Sequence, residues 1–326
     1  MAKLNMVQAL NLALDQEMAK DKSVILLGQD IGPDGGVFRV TDGLHKKYGE
    51  DRVIDTPLAE SGILGTSIGM AMNGLRPVCE MQFSGFSYIA FGQLEGHAAR
   101  MRNRTQGRIT LPLVMRMPYG GGVRALEHHS ESHEATYAHV PGVKVVLPSG
   151  PRNARSMLVA AIRDPDPVVF MEPKHSYRAF KEDVPDDEEC GVIGQADVLQ
   201  EGTDLTVITW GAMLPRTQKA VANVAKARGC KIELIDLITV APLDVVTIAN
   251  SVKKTGRCVI VQEAPRSYSV GSEIIARINE DVLMHLEAPV KRVAGYDTTM
   301  PYFSREQFYI PPQEKIELAL NEVLDF

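Results

Sequence analysis

Short apolar runs alternate along this chain with longer stretches in which apolar residues recur every three or four positions. The runs at 23–28, 52–55, 77–83, 111–117, 143–147 and 168–171 are rich in Val, Ile and Leu without strict polar alternation. That is the pattern of strands in a parallel sheet covered on both faces. Helical spacing marks 6–19, 61–73, 88–102 and 153–162, and in the first of these Val7, Leu10, Leu14 and Met18 make one apolar face. Between 181 and 194 the chain turns acidic and irregular, through Pro185-Asp186-Asp187-Glu188-Glu189, which reads as a linker. The same rhythm then restarts, with strands at 204–210, 231–236 and 257–262, helices at 217–227 and after Pro242, and a closing amphipathic helix at 314–324. The pattern predicts an α/β protein of two domains, 1–185 and 186–326, each with a mainly parallel sheet flanked by helices.

Composition narrows the class. The 326 residues are 44% hydrophobic and 23% charged, with a net charge of -6, which suits a soluble globular protein and argues against a nucleic-acid partner. The densest basic cluster, Arg100 to Arg104, has no aromatic platform beside it and reads as a solvated or interface-facing helix end. Cys79, Cys190, Cys230 and Cys258 are too scattered for a zinc site or a disulfide framework, so a reducing compartment is expected. No apolar signal segment, Arg-rich transit peptide or membrane-length apolar run is seen. The expected location is cytoplasmic.

Several familiar motifs are missing. There is no G-x-G-x-x-G and no Walker P-loop. Gly65-Thr66-Ser67-Ile68-Gly69 fits G-x-S-x-G, but it lies within a predicted helix where a nucleophile elbow needs a preceding strand, so close helix packing is the expected role. In the stretch from Glu127 to Glu134, His129 and His133 would share a face if helical, with Glu134 adding an oxygen for a metal. Gly120-Gly121-Gly122 just before it instead suggests a mobile loop, carrying histidines near a pocket and available for proton transfer. In Asp55-Thr56-Pro57-Leu58-Ala59-Glu60-Ser61-Gly62 a strand ends, Pro57 breaks it and a helix begins. Ligands of α/β proteins sit at such strand ends. A carboxylate there is equally suited to cap the helix.

Taken together, Asp55 to Glu60, Glu80-Met81-Gln82-Phe83, Gly120-Gly121-Gly122-Val123, His129-Ser130, Pro141 to Val146, Ala161-Ile162-Arg163-Asp164 and Val261-Gln262-Glu263 resemble the beta subunits of pyruvate and branched-chain 2-oxo acid dehydrogenases. The resemblance covers essentially the whole chain. It implies a pyrimidine-binding domain followed by a transketolase-type C-terminal domain, and oxidative decarboxylation of a 2-oxo acid, pyruvate by preference, with acyl transfer to lipoamide. Its cofactor would be thiamine diphosphate. Glu60 would share a proton with the aminopyrimidine ring nitrogen, Leu58 would give an apolar wall, Gln82 a hydrogen bond and Phe86 a stacking surface. His129, or His128 beside it, would orient substrate or transfer protons. Relatives often have glutamine where this chain has Glu131, and the added negative charge is expected to raise the pKa of His129.

The resemblance also implies a structural potassium ion at Leu113, Ala161, Ile162, Asp164 and Asp166; an ordinary helix C-terminus facing water is the plain alternative. Thiamine enzymes usually hold diphosphate and magnesium with a G-D-G motif, and none occurs here. That half would come from an alpha subunit in an alpha2-beta2 heterotetramer, which delivers acyl groups to a lipoyl-bearing dihydrolipoamide acyltransferase. An acetoin dehydrogenase beta subunit and a purely non-catalytic assembly subunit are the competing expectations.

Overall fold

The computed structural model describes residues 2–187 and 189–326. The strands of the first half are β1 (Ala2–Leu4), β2 (Val24–Gly28), β3 (Val53–Asp55), β4 (Arg76–Glu80), β5 (Val114–Tyr119), β6 (Lys144–Val146), β7 (Val168–Pro173) and β8 (Glu182–Val184). Those of the second are β9 (Asp197–Gln200), β10 (Leu205–Thr209), β11 (Ile232–Asp236), β12 (Thr239–Ala241), β13 (Cys258–Pro265) and β14 (Lys291–Gly295). Among the described residues they form a sheet ordered β12-β6-β7-β5-β4-β2-β3, another ordered β14-β13-β10-β11-β9, and a small β1-β8 pair. All neighbours within the two large sheets are parallel except β12 against β6 and β9 against β11. β2 and β5 are buried at every residue, β2 as an uninterrupted apolar run and β5 with Arg116 as its one charged side chain. The two-domain α/β expectation holds.

Local chemistry sets the helix ends. Asn5 accepts from the Gln8 amide at 3.0 Å while its own amide donates to the Gln8 side chain at 3.1 Å, a capping box that starts helix Met6–Lys20. Asp244 caps helix Val245–Thr255 through the Thr247 amide at 3.0 Å, and Gly256 ends it in the left-handed region at φ 68°.

One expectation is corrected here. The single helix at 88–102 is three pieces, Tyr88–Gly96, a 3-10 turn Ala98–Arg100 and Met101–Arg104, broken at His97 (φ -125°, ψ -64°). Gly142 packs directly on the Ala99 carbonyl in the interrupted stretch, closer than any Cβ would allow. The basic residues of that segment are internally paired, Arg100 with Glu95 at 2.9 Å and Arg102 with Asp166 at 2.6 Å. Strand β12, which follows the linker in sequence, sits on the edge of the first sheet.

The linker is pinned rather than loose on the described residues around Glu188, which itself lies outside them. Buried Arg155 of helix Pro151–Arg163 donates to the Gln16 side chain at 2.7 Å and to the Glu189 carbonyl at 2.8 Å. No helix among the described residues is long and apolar enough to cross a membrane.

Candidate functional site

The parallel order β3-β2-β4-β5 places the carboxyl ends of four strands side by side. The residues just beyond them therefore gather along one edge: Glu60 after β3, Asp30 after β2, Gln82 and Phe86 after β4, His129 after β5. Glu60 is 6% exposed and opens helix Glu60–Met72. It is not the cap, because Ala59 holds that position without any side-chain bond. Its carboxylate lies in the first turn, where free amide groups give a positive field. Next to it, Ser61 donates to the Ile89 carbonyl, tying this helix to the one that follows Phe86. Ser67 is buried and donates back to the Ile63 carbonyl at 2.8 Å, so it serves helix packing as expected and is no nucleophile.

Phe83, Phe86, His128 and His129 form a ring cluster. His129 meets Phe83 edge-on at 4.3 Å and Phe86 at 5.2 Å between centroids, and His128 lies 4.4 Å from His129. Gly85 permits this, since its backbone abuts the His128 carbonyl more closely than a Cβ would tolerate. The imidazole of His129 is held below its ordinary pKa, first by burial and then by His128 and Lys174, with Glu127 pulling the other way. The expected rise from Glu131 is overturned. That carboxylate turns to His133 instead, at 3.2 Å. His133 packs on Tyr88, in a helix-free bend between a 3-10 turn at Glu127–His129 and helix Glu134–Ala138, so His129 and His133 share no helix face. Among the described residues no group of His, Cys, Asp and Glu is arranged to hold a metal.

Gln82 donates to Asp30 at 2.7 Å. Leu58 is 68% exposed, an apolar side chain open to solvent at the rim. Buried Thr56 Oγ1, His129 Nδ1 and Ser130 Oγ have no hydrogen-bond partner. Such orphans beside a carboxylate and two aromatic rings fit a polar heteroaromatic ligand supplied from outside the chain.

The loop expected to be mobile is clamped. The Gly121 amide donates to Glu263 at 2.5 Å, while Gly122 and Arg124 donate to the two oxygens of Glu306 at 2.6 and 2.7 Å. Lys174, whose ammonium burial brings down to about 8, donates to the His129 carbonyl at 2.5 Å and to the Gly120 carbonyl. Across adjacent strands, Arg116 joins Glu172 at 2.8 Å and Glu80, all three buried. Sequence reasoning missed Asp30, Lys174, Glu306 and the Arg116 pair. Only Glu263 carried a signal, within Val261-Gln262-Glu263.

The predicted cation residues lie at the opposite, amino edge of the sheet. Asp164 is held by Lys144 at 2.8 and 2.6 Å and Asp166 by Arg102, so both carboxylates face side-chain cations. The Leu113 carbonyl accepts from Val168 and that of Ile162 from Arg76, each at 2.9 Å, and each keeps a second lone pair. Pro165 has no N–H to offer the Ala161 carbonyl. A cavity of about 1260 Å³ lies between the halves beside Ser149, His175, Arg216 and Asp236, and none of the predicted site residues lines it.

Two domains of this kind, with a carboxylate, a glutamine and an aromatic-histidine cluster at one sheet edge, define a transketolase-type protein. Residues 2–179 match the transketolase pyrimidine-binding domain and 194–316 the transketolase C-terminal domain. A solved "split gene transketolase, inactive beta4 tetramer" shares the fold, with a TM-score of 0.79 over 99% of each chain at 19% identity. The pyruvate dehydrogenase E1 component subunit beta of Acholeplasma laidlawii is 51% identical over 99% of this chain and 98% of its own. That of Bacillus subtilis (strain 168) is 47% identical over the full length of both. The chain belongs to the pyruvate dehydrogenase E1 beta-subunit family.

Proposed function

We propose that this chain supplies the pyrimidine half of a thiamine-diphosphate site in a 2-oxo acid dehydrogenase, acting on pyruvate and passing the acyl group to lipoamide. The observation that carries the reading is the single sheet edge shared by Glu60, Gln82, Phe86 and His129, open at Leu58. When bound, the cofactor supplies the electron sink for decarboxylation. Glu60 then holds and exchanges a proton at the aminopyrimidine ring nitrogen. Leu58 and Phe86 exclude water and flank the ring. Gln82 bonds its edge, releasing or sharing its contact with Asp30. His129, whose neutral form burial favours, accepts or returns a proton beside the substrate.

The chain has no diphosphate-binding motif. An alpha subunit in an alpha2-beta2 assembly supplies that half together with magnesium, and a lipoyl-bearing acyltransferase receives the product. At the amino edge of the sheet, carbonyls of Leu113, Ala161 and Ile162 hold potassium, while the Asp164 and Asp166 carboxylates stay with Lys144 and Arg102.

The decisive experiment is Glu60→Ala, purified with the alpha partner. Loss of about 10²-fold or more in kcat with the tetramer intact is expected for a missing proton-transfer group. Full activity would refute the role of Glu60. A panel of pyruvate, 2-oxoisovalerate and acetoin on the same complex decides the substrate.

A further inference from the structure

The turn that follows β5 and leads to His129 is fastened from the other half of the molecule. Glu306 lies at the start of the short helix Glu306–Tyr309, and Glu263 lies on β13. Both are buried, and so is Lys174 beneath the turn. Glu306 grips the Gly122 and Arg124 amides with separate oxygens, and both donors sit in the left-handed region, at φ 90° and 58°. Consecutive amides in such a bend form a concave donor surface suited to an anion. The fit leaves no slack. A Cβ at Gly121 would lie 2.7 Å from Glu306 Oε1, and one at Gly120 would lie 2.9 Å from Glu263 Oε1. Lys174 completes the clamp by donating to the carbonyl of His129 itself.

We propose that Glu306 is a positioning residue: with Glu263 and Lys174 it fixes the Gly120–Gly122 turn, and through it the imidazole of His129. The kinetic part rests on the reading of His129 as the pocket histidine. Burial explains why a carboxylate is used here. A buried charge is tolerated only when hydrogen bonds and a counter-charge surround it, and once so surrounded it is hard to displace. The turn is thereby held in one place, which the three glycines alone could not do.

The test uses the reconstituted alpha–beta complex carrying Glu306→Ala, Glu306→Gln, His129→Ala, or Glu306→Ala combined with His129→Ala. Amide hydrogen exchange is the direct readout. At Gly122 and Arg124 it should quicken about tenfold or more in Glu306→Ala, with β5 unchanged and Glu306→Gln intermediate, because these two donors lose their acceptor. Unchanged exchange in both single Glu306 variants overturns the clamp.

Kinetics is the second readout. The fall in kcat for Glu306→Ala should be absorbed by that of His129→Ala, the double variant being no slower than His129→Ala alone. Multiplying losses would overturn positioning through His129. If His129→Ala is fully active, the pocket reading of that histidine fails, while the exchange result still decides the clamp. Should the alanine variant not fold, Glu306→Gln carries both readouts, since it keeps the shape and weakens the acceptor.

Discussion

At the scale of single residues, the strongest electrostatic commitment is Arg116. Its guanidinium joins Glu172 in a two-pronged bond and also meets Glu80, while Tyr177 donates to Glu172 at 2.5 Å. Burial pushes Glu80 towards its protonated form and Arg116 opposes this. Replacing Arg116 with Met strands two buried acids, so a loss of about 3–5 kcal/mol in urea melts is expected.

Asp236 makes the opposite kind of prediction. Burial raises its carboxyl to about 7, against bonds from Ser149 at 2.7 Å and Asn153 at 3.2 Å. A raised acid binds its proton more tightly when folded. Its stabilisation is therefore complete in acid and is lost as pH rises from about 4 through 7, on the order of 4 kcal/mol in all. Urea midpoints should fall between pH 5 and 8 in the parent chain and stay level in Asp236→Asn. A parallel fall in both would assign the pH dependence elsewhere. Residue chemistry of this sort was barely legible in the sequence. Arg116, Glu172 and Asp236 lie in apolar strands where nothing local marks a charge as paired, and partners 56 or 87 residues distant meet only once the sheet forms.

Elements were far more readable. Runs rich in Val, Ile and Leu without strict polar alternation announced β2, β5, β7, β10 and β11, since strands buried on both faces have no solvent-facing side to show. Helix Val270–Val282 went unread although Val270, Ile274, Ile278 and Val282 bury one face at four-residue spacing. Gly271 and Ser272 in its first turn hide the period, because both are weak helix formers. β9 is exposed along its length, and β12 is only three residues long. Neither has a pattern to read. Of the candidate site, the strand-end position of Glu60 was legible but not whether it caps the helix, which needed Ala59 to be seen in that position.

The C-terminal turn of helix Pro151–Arg163 carries an element-scale prediction. Potassium held by its carbonyls should raise the melting temperature by several degrees relative to choline at equal ionic strength, as any ligand of the folded state must. Identical melts in the two salts would remove the cation from that helix end.

For the whole molecule, the halves are interlocked rather than merely joined. β12 closes one edge of the first sheet against β6, Glu263 and Glu306 hold its glycine turn, and Trp210 donates to buried Glu134 at 3.2 Å. A fragment of residues 1–185 would bare the β6 edge and is expected to self-associate, as unprotected edges do. Adding fragment 186–326 in trans should return it to a discrete species in sedimentation analysis. A monodisperse, folded 1–185 would show that β12 is dispensable.

The placement of β12 also has a consequence in time. A ribosome finishes β6 roughly 90 residues before it reaches Thr239, an interval of about 5–20 s at ordinary elongation rates. Through that interval the nascent first sheet has no neighbour for its last strand. Folding of the amino-terminal half is thus coupled to the progress of translation, and a pause in the message between the two strands would lengthen the period in which the chain is most exposed to chaperones and to its own neighbours on the polysome.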